Sequence, residues 1–124
     1  MSMLLNREQG NGNIIRSFSA GELRINETIY TNHVIVTTDT IIENWLPADF
    51  IDLSIADFAD AMSTTPELIL FGTGTTQTFP PGAMITDILR QGIGFEVMDT
   101  NAACRTFNVL AGEYRKVVAA LLIR

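Results

Sequence analysis

Seven consecutive apolar residues, Val117-Val-Ala-Ala-Leu-Leu-Ile123, constrain this chain more than any other stretch. Periodicity alone leaves helix and strand open. The β-branched ends and the length favour a strand, and a continuous helix would carry Gly112 inside it at a cost of about 1 kcal/mol. A strand apolar at odd and even positions alike belongs in the middle of a sheet covered on both faces. The same run is far short of the roughly 18 apolar residues that a membrane-spanning helix needs, so no membrane insertion is expected.

Two further strands are expected beside it. Glu67–Phe71 reads as a buried strand, and the loop Gly72-Thr-Gly-Thr-Thr-Gln-Thr-Phe-Pro-Pro81 follows. A helix over about Gly82–Gln91 comes next, with Met84, Ile85, Ile88 and Leu89 inward and Gly92 as its stop. Ile93–Met98 is then the second strand. A β-loop-α-β unit of this length joins two adjacent parallel strands by a right-handed crossover. After it, Asp99 or Thr100 can cap a helix whose inward stripe is Ala103, Thr106, Phe107 and Leu110, with Gly112 ending it.

The N-terminal part has a different period. Residues 14–19 alternate, and Leu23–Ile25 and Thr28–Tyr30 flank Asn26-Glu27 as a hairpin. Val34–Val36 is a strand, Thr37–Thr40 a turn and Ile41–Trp45 a further short strand. From Leu53 the pattern turns helical: Ser54 caps, Asp57 reaches back, Leu53 and Phe58 form a hydrophobic staple, and Ile55, Phe58, Ala59 and Met62 share a face. Pro66 closes that helix. Residues 6–13 read as a loop, and residues 1–13 as a flexible lead-in. With 124 residues, the chain is expected to be an α/β, three-layer single domain: a central mixed β-sheet, helices packed on it and an N-terminal antiparallel portion.

Composition narrows the function. Fourteen acids against eight bases give a net charge of −6, which argues against nucleic acid as a partner. One Cys rules out an intramolecular disulfide, and one Cys with one His cannot close a Cys/His zinc site. A free Cys and a start with neither a basic region nor a long apolar stretch fit the cytoplasm. Asp49, Asp52, Asp57 and Asp60 match no calcium loop and suit a solvated helix start. No metal and no cofactor is expected: the Gly loop lacks a Gly-Lys-Ser/Thr sequence, and Gln77 stands where a dinucleotide fingerprint needs its third Gly.

One constellation remains. Ligands of open α/β sheets bind beyond the carboxyl ends of parallel strands, which brings Gly72, Thr73, Gly74 and Thr75 to the edge shared with Asp99 and Thr100. Glycines allow close backbone approach, a helix N-terminus suits an anion, and Arg105 one turn on can pair with a carboxylate or phosphate. The bland alternative is that the same residues only make a turn and a cap. Cys104 is a candidate thiol beside Arg105, set against a plain buried core role. His33 is expected on the surface or as a cap, because no Gly-x-Ser-x-Gly elbow exists for a triad.

Leu68-Ile-Leu-Phe-Gly-Thr-Gly74, Phe79-Pro-Pro81, Gly94-Phe-Glu-Val-Met-Asp-Thr-Asn-Ala-Ala-Cys-Arg-Thr-Phe-Asn-Val-Leu110 and Glu113-Tyr-Arg-Lys-Val-Val-Ala-Ala-Leu-Leu122 together resemble the Mth-domain family. That family takes in small archaeal and bacterial proteins, the adipogenesis-associated Mth-domain protein and the mitochondrial complex I assembly factor 3. The resemblance implies a compact three-layer α/β domain, no established catalysis and, through the mitochondrial member, an assembly role exercised on protein partners. The sequence thus favours a non-catalytic interaction or assembly factor over a small-anion or polar-metabolite binder or minor enzyme. Self-association as a homodimer through an exposed strand edge is a further expectation.

Overall fold

The computed structural model describes residues 12–124, so most of the stretch expected to be a flexible lead-in lies outside the described residues. Asn13, at its end, is tied down: its N–H donates to Thr38 O at 2.6 Å and its side-chain amide to Thr37 O at 2.9 Å.

The chain runs β1 (Ile15–Ser19), β2 (Glu22–Ile25), β3 (Thr28–Tyr30), β4 (Val34–Val36), β5 (Ile41–Ile42), two 3-10 turns (Phe50–Asp52 and Ile55–Phe58), α1 (Ala59–Ser63), β6 (Leu68–Gly72), α2 (Gly82–Leu89), β7 (Gly94–Met98), α3 (Thr100–Gly112) and β8 (Val117–Leu121). Five strands make a mixed sheet in the order β5-β4-β8-β6-β7, and β1-β2-β3 make a separate antiparallel sheet. The apolar run is the central strand β8, fully buried along its length. It pairs parallel with β6, with Leu68 opposite Val117 and Gly72 opposite Leu121, and antiparallel with β4. β6 and β7 are adjacent and parallel, as the β-loop-α-β pattern requires.

Alternation along β8 divides the interior in two. Val117, Ala119, Leu121 and Ile123 meet α3 and the three-stranded sheet; Val118, Ala120 and Leu122 meet α1, α2 and the loop before α1. The three layers are therefore α3 with the small sheet, the mixed sheet, and the remaining helices. The second core is aromatic. Phe58, completely buried, lies 5.2 Å from the Phe71 ring and 5.3 Å from that of Phe95, both edge-on, and Trp45 joins the cluster. Burying one such ring contributes roughly 1.5–3 kcal/mol.

Several elements depart from the sequence-based expectation. The expected strand Ile41–Trp45 shrinks to Ile41–Ile42, because Asn44 takes φ +57 and swings Trp45 into the core, where its indole N–H donates to Asp57 O at 2.9 Å. The helix after Ser54 begins as a 3-10 turn, with three residues per turn. That rotates the α-helical turns after it, so Ala61 is buried and Ala59 exposed, against expectation. Asp57 does reach back, accepting from the Ser54 N–H at 2.9 Å, and Leu53 and Phe58 are both buried. In α2, Met84 and Ile88 face inward, but Leu89, in the last turn, is half exposed. Gly112 falls inside the last turn of α3, and the left-handed residue that ends the helix is Tyr114, φ +61.

Candidate functional site

The carboxyl ends of β6, β7 and β8 lie on one sheet edge, and the Gly loop and the start of α3 meet there. Thr100 is the junction. It is completely buried. Its Oγ1 accepts from the Gly74 N–H at 2.8 Å and donates to Leu122 O at 2.7 Å, and its own N–H donates to Gly74 O at 2.8 Å. One hydroxyl thereby ties together the loop after β6, the first turn of α3 and the segment after β8. The packing leaves no spare room. A Cβ on Gly72 would stand 2.9 Å from Leu121 Cδ2 and from Thr100 Oγ1, and one on Gly74, at φ +102, would stand 2.8 Å from Arg124 Cγ. These two positions need glycine for close approach and, at Gly74, for the left-handed backbone.

The other proposed residues divide. Thr73 is buried; its N–H donates to Met98 O at 2.9 Å, its hydroxyl donates to Thr76 O at 2.6 Å and accepts from the Thr78 N–H at 3.1 Å. Asp99 is the N-cap of α3 and accepts from the Ala102 N–H at 2.8 Å. Thr75 and Arg105 are exposed, apart from the buried junction. The N–H groups of Thr73, Gly74, Thr100, Ala102 and Ala103 are all matched to acceptors of the chain, and the arrangement is a clasp. The Arg124 side chain lies against it, its Nε donating to Thr73 O at 3.3 Å.

Cys104 is buried in the core against the small sheet, and burial pushes its thiol up to about 12, with Arg105 only partly opposing that. Such a thiol stays protonated at neutral pH and is a poor nucleophile.

His33 stands on this same edge, a placement that sequence reasoning missed. Its Nδ1 accepts from the Ile123 N–H at 2.9 Å. Burial, and secondarily the Arg124 charge, lower its pKa. Arg124 lies over the Phe50 ring, 5.1 Å from its centroid, and with His33 and Asp49 lines a cleft of about 170 Å³. No local sequence signal links these residues, because β4 and β8 are paired across most of the chain.

Among the described residues no group of His, Cys, Asp and Glu is arranged to hold a metal ion, and no helix is long and apolar enough to cross a membrane.

The profile of a family described as "Protein of unknown function (DUF498/DUF598)" matches residues 15–122. The chain belongs to this Mth-domain family. The match covers every described strand and helix, from β1 through β8. Among relatives of the family, a "13 kDa major membrane protein" of Francisella tularensis subsp. holarctica is 29% identical over 108 residues, 86% of this chain and 88% of that protein. The "NADH dehydrogenase [ubiquinone] 1 alpha subcomplex assembly factor 3" of Danio rerio is 28% identical over 121 residues, 96% of this chain and 69% of that protein. A Bordetella parapertussis protein known by crystal structure superposes with a TM-score of 0.83 at 29% identity, covering 91% of this chain and 97% of that one. A Bordetella pertussis protein described as a Mth938-like domain shares the fold, with a TM-score of 0.79 at 23% identity, covering 99% of this chain and 92% of that one.

Proposed function

We propose that this chain is a non-catalytic assembly factor that acts through protein contacts, from the cytoplasm, on a respiratory NADH dehydrogenase. The observation that carries the reading is the relationship, along 96% of the chain, to a protein named as an assembly factor of that enzyme. The geometry supports it from the other side. Polar groups converge at the carboxyl edge, and there they satisfy one another through Thr100. The Cys104 thiol is held protonated, and the one imidazole spends its Nδ1 on the backbone of residue 123. What the fold offers is a rigid body carrying exposed apolar side chains, Leu46, Ile51 and Phe79 among them, and exposed apolar and aromatic groups are the usual anchors of protein interfaces.

The test is deletion of the gene in the native cell, with membrane complexes separated on native gels and stained for NADH oxidation. Accumulation of partial complexes, reversed by the wild-type gene, is the expected result. A deletion strain with fully assembled enzyme at normal level overturns the reading.

A further inference from the structure

At the opposite, amino edge of the parallel strands, the β4–β5 turn, the residues before β6 and the residues between α3 and β8 enclose a groove of about 500 Å³. Its apolar part comes from Pro66, Ala111 and Val117, all buried, and Tyr114, 88% exposed, stands at its rim. The size falls within the roughly 300–1,000 Å³ of small-molecule pockets, which are likewise largely apolar with a few placed polar groups.

The charge on the groove is specific. Arg115 is spent on Glu67, with Nε 2.8 Å from its carboxylate. Lys116 has no carboxylate partner among the described residues; its Nζ donates to Thr65 Oγ1 at 3.1 Å, which leaves two of its three donors free. Asp39 lines the same groove and accepts from the Thr37 and Thr40 hydroxyls, each at 3.2 Å. Lys116 thus offers the groove unpaired donors for a charge-assisted hydrogen bond to an anion, and the Asp39 carboxylate on the same lining works against a ligand of higher negative charge.

The rim is set by two helix ends. Thr65, which holds Lys116, and Tyr114, on the rim, have φ of +52 and +61. Each is the residue at which a helix stops, Thr65 after α1 and Tyr114 after α3, where left-handed backbone is ordinary; at a β-branched or bulky side chain it is still strained.

We infer that this groove binds a small monocarboxylate with an apolar body, its carboxylate on Lys116 and its body along Pro66, Ala111, Val117 and Tyr114. The inference stands apart from the assembly reading, since it concerns a ligand of the isolated chain.

Octanoate, 1-octanol and inorganic phosphate are titrated into the full isotopically labelled chain and followed by amide chemical shifts. Octanoate is expected to produce saturable shifts centred on Ala111, Tyr114 and Val117, with octanol weaker by about tenfold, the worth of one charge-assisted contact, and phosphate silent there. Lys116→Met weakens octanoate by about the same factor and leaves octanol unchanged. Tyr114→Gly weakens both while raising the melting temperature, which separates loss of the site from loss of the fold. Octanoate shifts that do not saturate in the groove, octanol or phosphate binding there as well as octanoate, or Lys116→Met binding like the wild type would each overturn the inference.

Discussion

The two edges of the central sheet bend their backbone by different means. At the carboxyl edge the chain turns on Gly72 and Gly74, where an added Cβ would stand within 3 Å of its neighbours. At the amino edge each parallel strand is entered through a left-handed residue: Thr65 before β6, Gly92 before β7 and Tyr114 before β8. Only one of those three is glycine. Where space is absent, glycine is required, and the edge closes on itself through Thr100. At Thr65 and Tyr114 side chains are kept at the cost of strain, beside an open groove; Gly92 has open space around it and is glycine for its backbone alone. The carboxyl edge is packed around one buried hydroxyl, and the amino edge carries exposed side chains, Tyr114 and Lys116 among them.

The sharpest way to break that contrast is Thr100→Val. Removing the buried hydroxyl strands the Gly74 N–H and the Leu122 carbonyl, and each unsatisfied buried group costs about 1–3 kcal/mol. A loss of about 2–4 kcal/mol in urea unfolding is expected; a loss below about 1 kcal/mol would mean the clasp is not what holds this edge. At the amino edge the sign reverses. Tyr114→Gly relieves a left-handed penalty of about 1–2 kcal/mol and gives back part of it in chain entropy. The net gain expected is about 0.5–1 kcal/mol, and a destabilised Tyr114→Gly would show that the tyrosine is held by contacts rather than strained.

Range in sequence decided which features were legible. The β8 run was legible because both faces of that strand are buried, and the hairpin because Asn26, at φ +55, is a turn signal in two letters. The convergence of Gly74 and Thr100 was legible from strand direction alone. That their hydrogen bonds are made to each other was not, since the acceptor Leu122 and the covering Arg124 come from a third segment. The groove drew on residues 37–40, 64–66 and 111–117, and the aromatic core on rings as separated as Trp45 and Phe95. Neither has a local pattern. The face of α1 was misread for a local reason, a 3-10 turn that shifts the phase of everything after it.

A gentler probe of the carboxyl edge is pH. His33 has a folded-state pKa below its ordinary 6.5, so the unfolded chain takes up the proton more readily. The contribution of neutral His33 is present above about that value and is lost as pH falls through the lowered one. Melting temperature should therefore decline on acidification below about 6.5 more steeply in wild type than in His33→Gln; parallel profiles would remove His33 from the clasp. The smallest effects belong to the exposed members of the same loop and helix. Arg105→Ala and Thr75→Ala should each shift stability by less than about 0.5 kcal/mol, and a larger cost for either would extend the clasp outward to them.

The central position of β8 has a consequence for how the molecule is made. Every neighbour of that strand, β4 on one side and β6 on the other, leaves the ribosome before it does. Until β8 arrives the two layers of apolar side chains have no common wall, and the pieces with partners to fold against are the β1–β2–β3 sheet, the β4–β5 hairpin and the unit β6–α2–β7. Closing the sheet joins segments distant in sequence, which slows folding. During synthesis, then, two half-formed cores wait with their apolar faces open, and that interval is when a chaperone would have the most to hold.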